Sequence, residues 1–157
     1  MHLSASVRPF LSIPWFKNDI ASFSIVHGQG IGNYNLDLQN VPNGGTDGVM
    51  DAADNIIPLR MTSYYAAYTH FWTTNLRSTA VVSQVDLEAS PALGAAGYHR
   101  GRYASANLIY YWRYKAPKDD NAHFAFTSLE FLYGDRQTLS LGRGQEQRLL
   151  FSFGVKY

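Results

Sequence analysis

The side chains that could do chemistry in this 157-residue chain are charged groups, not nucleophiles. Cysteine is absent, which removes disulfide frameworks, thiolate catalysis and Cys-ligated zinc. The five histidines, at positions 2, 27, 70, 99 and 123, are scattered, and nothing in their spacing favours a metal. No G-x-S-x-G, H-E-x-x-H or Walker pattern occurs. Gly28, Gly30 and Gly32 lack the third spaced glycine, following helix and later acidic partner of a dinucleotide fingerprint, and more simply allow a tight bend at a strand end. What remains is a set of charges: Arg8, Arg60, His70, Arg113, Glu130, Arg148 and Lys156. If these face one water-filled space, their chemistry is ion selection without covalent steps and without a cofactor, because cations along a wall raise the local concentration of anions. The alternative is that they pair across strands with Glu130, Asp86 and Glu88 and only fill that space.

Stepping such charges along a wall takes strands, and the sequence supplies them. Helical spacing is hard to find, whereas period-two alternation recurs. In the last eleven residues Leu149, Phe151, Phe153, Val155 and Tyr157 share one side, and Arg148, Leu150, Ser152, Gly154 and Lys156 the other. Thr127, Leu129, Phe131 and Tyr133 alternate with Ser128 and Glu130, and Ala104 to Trp112 behaves alike. Leu59 to Trp72, Arg77 to Leu87, Ala21 to Gly28 and Leu3 to Ile13 read as further strands, about seven in all. Short connectors are expected at Pro14 to Asp19, Thr73 to Leu76 and Lys115 to Asn121. Longer ones are expected at Gly30 to Ile56, Ala89 to Gly97 and Asp135 to Gln145.

Composition fits strands that face lipid on one side and water on the other. Aromatic residues make up 15% and charged residues 16%, against about 25% charged in typical soluble domains. Mean hydropathy is only -0.21. A net charge of +1 gives no electrostatic case for nucleic acid. Trp15, Trp72, Trp112, Tyr114 and Tyr157 fall beside short turns, and Tyr98, Tyr103 and Tyr133 near long loops, where interfacial girdles belong. The expected fold is all-β, an antiparallel transmembrane β-barrel. An odd strand count does not close such a barrel, so residues 1–157 read as a partial barrel domain whose N-terminal strands and signal peptide are missing; the alternative is an eight-stranded barrel with one strand uncounted. Arg100, Arg102, Arg136 and Arg143 then lie at loop edges, as a solvated rim or against lipopolysaccharide phosphates. The loop from Asn35 to Asn55, with Asp37, Asp47, Asp51 and Asp54, reads as a mobile external loop; inward folding that narrows the pore, or a calcium site, are the other uses for it, though its spacing does not match the twelve-residue calcium loop. Two rival classes are a barrel-borne hydrolase, with a Ser/His or Asp/His pair at the external rim, and a soluble β-sandwich binding module.

The chain also resembles the C-terminal half of the DcaP-like porins of Gram-negative outer membranes. The match is carried in order by Gly28-Gln29-Gly30-Ile31-Gly32-Asn33-Tyr34, Tyr68-Thr69-His70-Phe71-Trp72, Asn75-Leu76-Arg77-Ser78-Thr79, Ser105-Ala106-Asn107-Leu108 and Glu130-Phe131-Leu132-Tyr133-Gly134-Asp135-Arg136. The resemblance implies a sixteen-stranded, homotrimeric outer-membrane channel, not an enzyme, that passes small, often anionic, dicarboxylate-like solutes. The ending Phe151, Phe153, Val155, Tyr157 is similar to the signal read by the barrel assembly machinery, which more often ends in Phe.

Overall fold

The structure, a computed structural model, describes residues 1–9, 12–34, 38, 47–112 and 124–156. Its strands are β1 (His2–Val7), β2 (Ile20–Gln29), β3 (Gly48–Met50), β4 (Ile56–Pro58), β5 (Arg60–Phe71), β6 (Leu76–Leu87), β7 (Tyr98–Tyr111), β8 (Phe124–Thr138) and β9 (Arg143–Lys156). Seven of them form one antiparallel sheet in the order β1-β2-β5-β6-β7-β8-β9, each strand beside its neighbour in sequence, while β3 and β4 make a small separate hairpin. Among the described residues β1 and β9 are paired on one side only, so the sheet is not closed.

All seven expected strands are present, with shifted bounds. β1 stops at Val7, short of Ile13, and Pro9, which has no N–H to give a ladder, follows two residues on. Alternation continues through Asp135 and Arg136, so the long loop expected there is a four-residue turn from Leu139 to Gly142, with Gly142 at φ 106°. A hairpin interrupts the expected loop from Gly30 to Ile56, with β3 inside it and β4 starting at its last residue and running to Pro58; strands of three residues are too short to show a period. The turn from Lys115 to Asn121, and Asp37 with residues 39–46 of the loop that follows it, fall outside the described residues.

Register fixes two faces. Ladder rows such as Phe23–Ala66–Val82–Ala104–Tyr133 and Tyr68–Ala80–Ala106–Phe131–Leu149 belong to an apolar face. Ser24–Tyr65–Ser83–Tyr103–Gly134–Glu146 and Thr69–Thr79–Asn107–Glu130 belong to a polar face. Nothing among the described residues covers the apolar face: Phe151 is 73% exposed, Leu149 70% and Phe153 64%.

The core sits at the long-loop end of the polar face. Met61, Val85 and Leu87 point there from β5 and β6, and Leu38, Leu59, Leu93 and Tyr98 close over them with Ile31 and Val49. The connector from Gly30 is pinned across this end by Gly30 N–H to the Leu59 carbonyl (3.0 Å) and Leu59 N–H to the Asp47 carbonyl (3.0 Å). A bulge between Tyr98 and Arg100 turns Tyr98 out of the alternation of β7 and onto the polar face, opposite Thr138.

Candidate functional site

The polar face is lined along its middle by small and hydrogen-bonding side chains. Thr69 and Thr79 hydroxyls meet at 3.0 Å, Thr79 N–H donates to Asn107 Oδ1 at 3.1 Å, and Ser6 and Ser22 hydroxyls meet at 2.7 Å. Glu130 stands opposite Asn107 on one side and Leu150 on the other. Arg148 Nε donates to Glu146 Oε1 at 2.6 Å, both side chains more than half exposed. Two rings lie flat against glycines on this face. A Cβ at Gly101 would come within 2.1 Å of the Tyr98 hydroxyl, and one at Gly154 within 2.2 Å of the Phe126 ring. Glycine at these positions lets the rings lie down on the sheet and keeps the space above them open.

An arginine marks each end of this face. Arg136, at the long-loop end, lies between Gly101 and Gly144 in the ladder with its guanidinium 5.5 Å from the Tyr98 ring centre. Arg77, at the short-turn end, lies 5.1 Å from the Tyr111 ring. Both Nε atoms are buried and have no hydrogen-bond partner among the described residues. Gly101 and Ile109, their ladder partners on β7, are eight residues apart, so the arginines stand about 26 Å apart along the strands. Around Arg136 an open groove of about 480 Å³ is lined by Tyr98, Tyr103, Gly144 and Glu146; around Arg77 one of about 840 Å³ is lined by Arg8, Trp15, Asn18 and Trp72.

The expected wall residues divide. Glu130, Arg148 and the register position of Lys156 fall on the polar face, and Arg8 reaches the groove at its short-turn end. Arg60 and His70 fall on the apolar face, at its two ends, because β5 has the opposite phase from the one those residues require. Arg113 and Tyr157 lie outside the described residues. Phe151, Phe153 and Val155 share the exposed apolar face. Arg77 and Arg136 were not anticipated as wall residues: each sits near a strand end, and the bulge that brings Tyr98 under Arg136 leaves no trace in the alternation. Of the carboxylates expected to pair with wall cations, Asp86 binds Arg100 on the apolar face.

His70 instead joins a fixed network. Asp19, the last residue before β2, exposes none of its side chain; it accepts from Tyr68 Oη, from His70 Nδ1 at 2.7 Å and from Phe71 N–H at 3.2 Å. Burial acts to raise the pKa of this carboxyl, but the three donors outweigh it and hold it below its ordinary value. His70 packs between Phe16 and Trp72, with Trp72 edge-on at 4.3 Å. Ser78, opposite His70 in the ladder, accepts from Trp72 Nε1 at 3.1 Å. The Asp/His pair therefore ties the first short turn to β5 and lies at the short-turn end, opposite the rim where a barrel hydrolase would carry one. Among the described residues no cluster of three His, Asp or Glu could hold a metal ion.

Comparison with family models, curated proteins and solved structures gave no match to this chain.

Proposed function

We propose that this chain is a sector of an outer-membrane β-barrel channel, and that small solutes cross the membrane passively along its polar face. One observation carries the reading. On the seven-stranded sheet, every exposed large hydrophobic side chain except Tyr65 and Leu150 stands on the same face. Soluble monomers seldom expose an apolar patch beyond a few hundred Å². Lipid covers such a face without penalty, and a water-filled lumen accepts the serines, threonines and charges opposite. A β-sandwich would need a second sheet over the apolar face, and none lies there among the described residues. Strands β5 to β9 have 12 to 15 residues, enough for a tilted crossing.

Strand direction supports a sector. Six antiparallel steps separate β1 from β9, so they run the same way, and antiparallel closure takes an odd number of further strands. The DcaP-like resemblance implies sixteen strands, and sixteen less seven leaves nine, an odd number. On this reading the exposed Phe151, Phe153 and Val155 serve insertion by the assembly machinery, lipid and lipopolysaccharide surround the apolar face, and the full-length barrel is a homotrimer.

Refolding of the full-length barrel, with the edges of this sector paired, into lipid vesicles tests it. Trp15, Trp72 and Trp112 are exposed at the short-turn end, so brominated lipids labelled near the headgroup should quench them and lipids labelled at mid-chain should not. Phe151→Trp should add a deeply quenched signal. A detergent-free soluble monomer indifferent to both lipids would overturn the reading.

A further inference from the structure

We infer that the long-loop end of the apolar face binds the phosphate of an anionic lipid headgroup, an inference that rests on the barrel reading above. The ladder there forms a grid of eight polar residues on four strands. One row is Gln84–Arg102–Asp135–Gln145 and the next is Asp86–Arg100–Gln137–Arg143. The two rows on the membrane side of it, Val82–Ala104–Tyr133–Gln147 and Ala80–Ala106–Phe131–Leu149, carry no charge. At the opposite end of the same face His70, Ser78, Leu76, Tyr110 and Thr127 occupy the strands, without an arginine. Cationic charge on the apolar face of β6 to β9 is thus confined to one end, at the depth where headgroups of a single leaflet would meet it.

The grid orients its guanidinium groups. Arg100 is held through Nε by Asp86, and Arg102 through Nε by Gln84 Oε1 at 3.1 Å, which leaves both Nη groups of each for a further acceptor. Arg143 Nη2 reaches Asp135 at 2.6 Å and Tyr133 Oη at 3.2 Å. Asp135 is almost fully buried beneath this contact. Three arginines face two carboxylates, and Arg102 makes no ion pair among the described residues. Fixed guanidinium forks match phosphate oxygens two at a time, and the neighbouring glutamine amides suit headgroup hydroxyls. A lipid fits better than a free anion because its acyl chains would continue down the face over Val82, Ala104 and Phe131.

The test measures boundary lipid by spin-label spectroscopy, comparing labelled phosphatidylglycerol with labelled phosphatidylcholine around the refolded protein. Wild type should favour phosphatidylglycerol about five-fold or more, and Arg102→Gln should remove up to about five-fold of that preference. The triple change Arg100→Gln, Arg102→Gln, Arg143→Gln should abolish it. Because the triple variant breaks two ion pairs, Arg102→Gln, which breaks neither, decides if the triple fails to fold. Insertion with equal preference in wild type and variants overturns this inference alone. So does a preference erased by inorganic phosphate at an ionic strength where chloride has no effect, since the site would then take the free anion. Failure to insert into any vesicle overturns the barrel reading beneath it.

Discussion

Phe151 and Ser152 are neighbours on β9 and stand on opposite faces of one sheet. Phe151 is surrounded by Leu129, Leu149 and Phe153 and lies open; Ser152 faces Ser128 across the ladder. The contrast extends over β1 to β9. The apolar face has its large side chains where nothing among the described residues covers them. The polar face buries apolar side chains fully where loops fold over it, at Met61, Val85 and Leu87, and its other large ones, such as Phe71, Ile109 and Leu132, are half-buried among polar neighbours. In a water-soluble sheet the arrangement would be reversed, with the covered face apolar throughout and the open face polar. The difference is what the membrane reading proposed above accounts for, with lipid over the open face.

The sharpest way to break this contrast is to attack the apolar core that the described residues form under the loops. Leu87 is 1% exposed under the loops. Leu87→Ala should cost about 2–5 kcal/mol, the range for buried leucine truncation, in urea melts whether in lipid or in detergent. A loss below about 1 kcal/mol would mean the loops do not pack on the polar face.

The next test separates the faces directly. Phe151→Arg should cost about 2–4 kcal/mol in a bilayer, while Ser152→Arg, one residue away, should cost little because its side is wet. Comparable losses for the two would abolish the distinction between faces. The pair also shows what was legible beforehand. In β7, β8 and β9 alternation is so regular that Leu149, Phe151 and Phe153 could be assigned to one face, and Glu130 and Arg148 to the other, from spacing alone. β5 offered no such phase, because Tyr64 and Tyr65 put large amphipathic rings on both faces and are followed by Ala66 and Ala67; Arg60 and His70 were misphased with it. Arg136 was hidden for another reason, since the stretch from Asp135 to Gln145 reads as a loop, where a residue belongs to no face, while β8 in fact runs on to Thr138.

A third test concerns how the short-turn end is held. Asp19 donors keep its pKa below the ordinary 3.8, so the folded state favours the ionised carboxylate more than the unfolded state does. That stability is complete above the unfolded pKa, at about pH 5 and higher, and is lost as pH falls through the depressed folded pKa. Asp19→Asn should cost about 1–3 kcal/mol at pH 7, the scale of losing charge-assisted hydrogen bonds at a buried group. It should also flatten the acid limb of the stability curve below pH 4, and an unchanged acid limb would mean that Asp19 is not the group being titrated. By contrast Asp51, held ionised by Asn55 and Ala53 N–H groups in the exposed β3–β4 connection, should leave the sheet's acid stability unchanged when made Asn.

The smallest effect is the most informative about passage. Arg148 and Arg136 both belong to the polar face, but Arg148 is compensated by Glu146 at 2.6 Å and is 57% exposed, while Arg136 makes no ion pair among the described residues. An exposed pair is worth about 0–1 kcal/mol, so Arg148→Gln should leave stability nearly unchanged. It should also leave the anion-to-cation permeability ratio of the channel proposed above within about two-fold, because Arg148 and Glu146 are both more than half exposed and already screened by water. Arg136→Gln should lower that ratio more, since its charge is uncompensated and its groove is open. Reversal potentials across a planar bilayer under a potassium chloride gradient would read both. Equal shifts for the two arginines would show that total charge, not local compensation, sets selectivity, and a larger shift for Arg148 would move the decisive charge from the glycine-flanked groove to the middle of the wall.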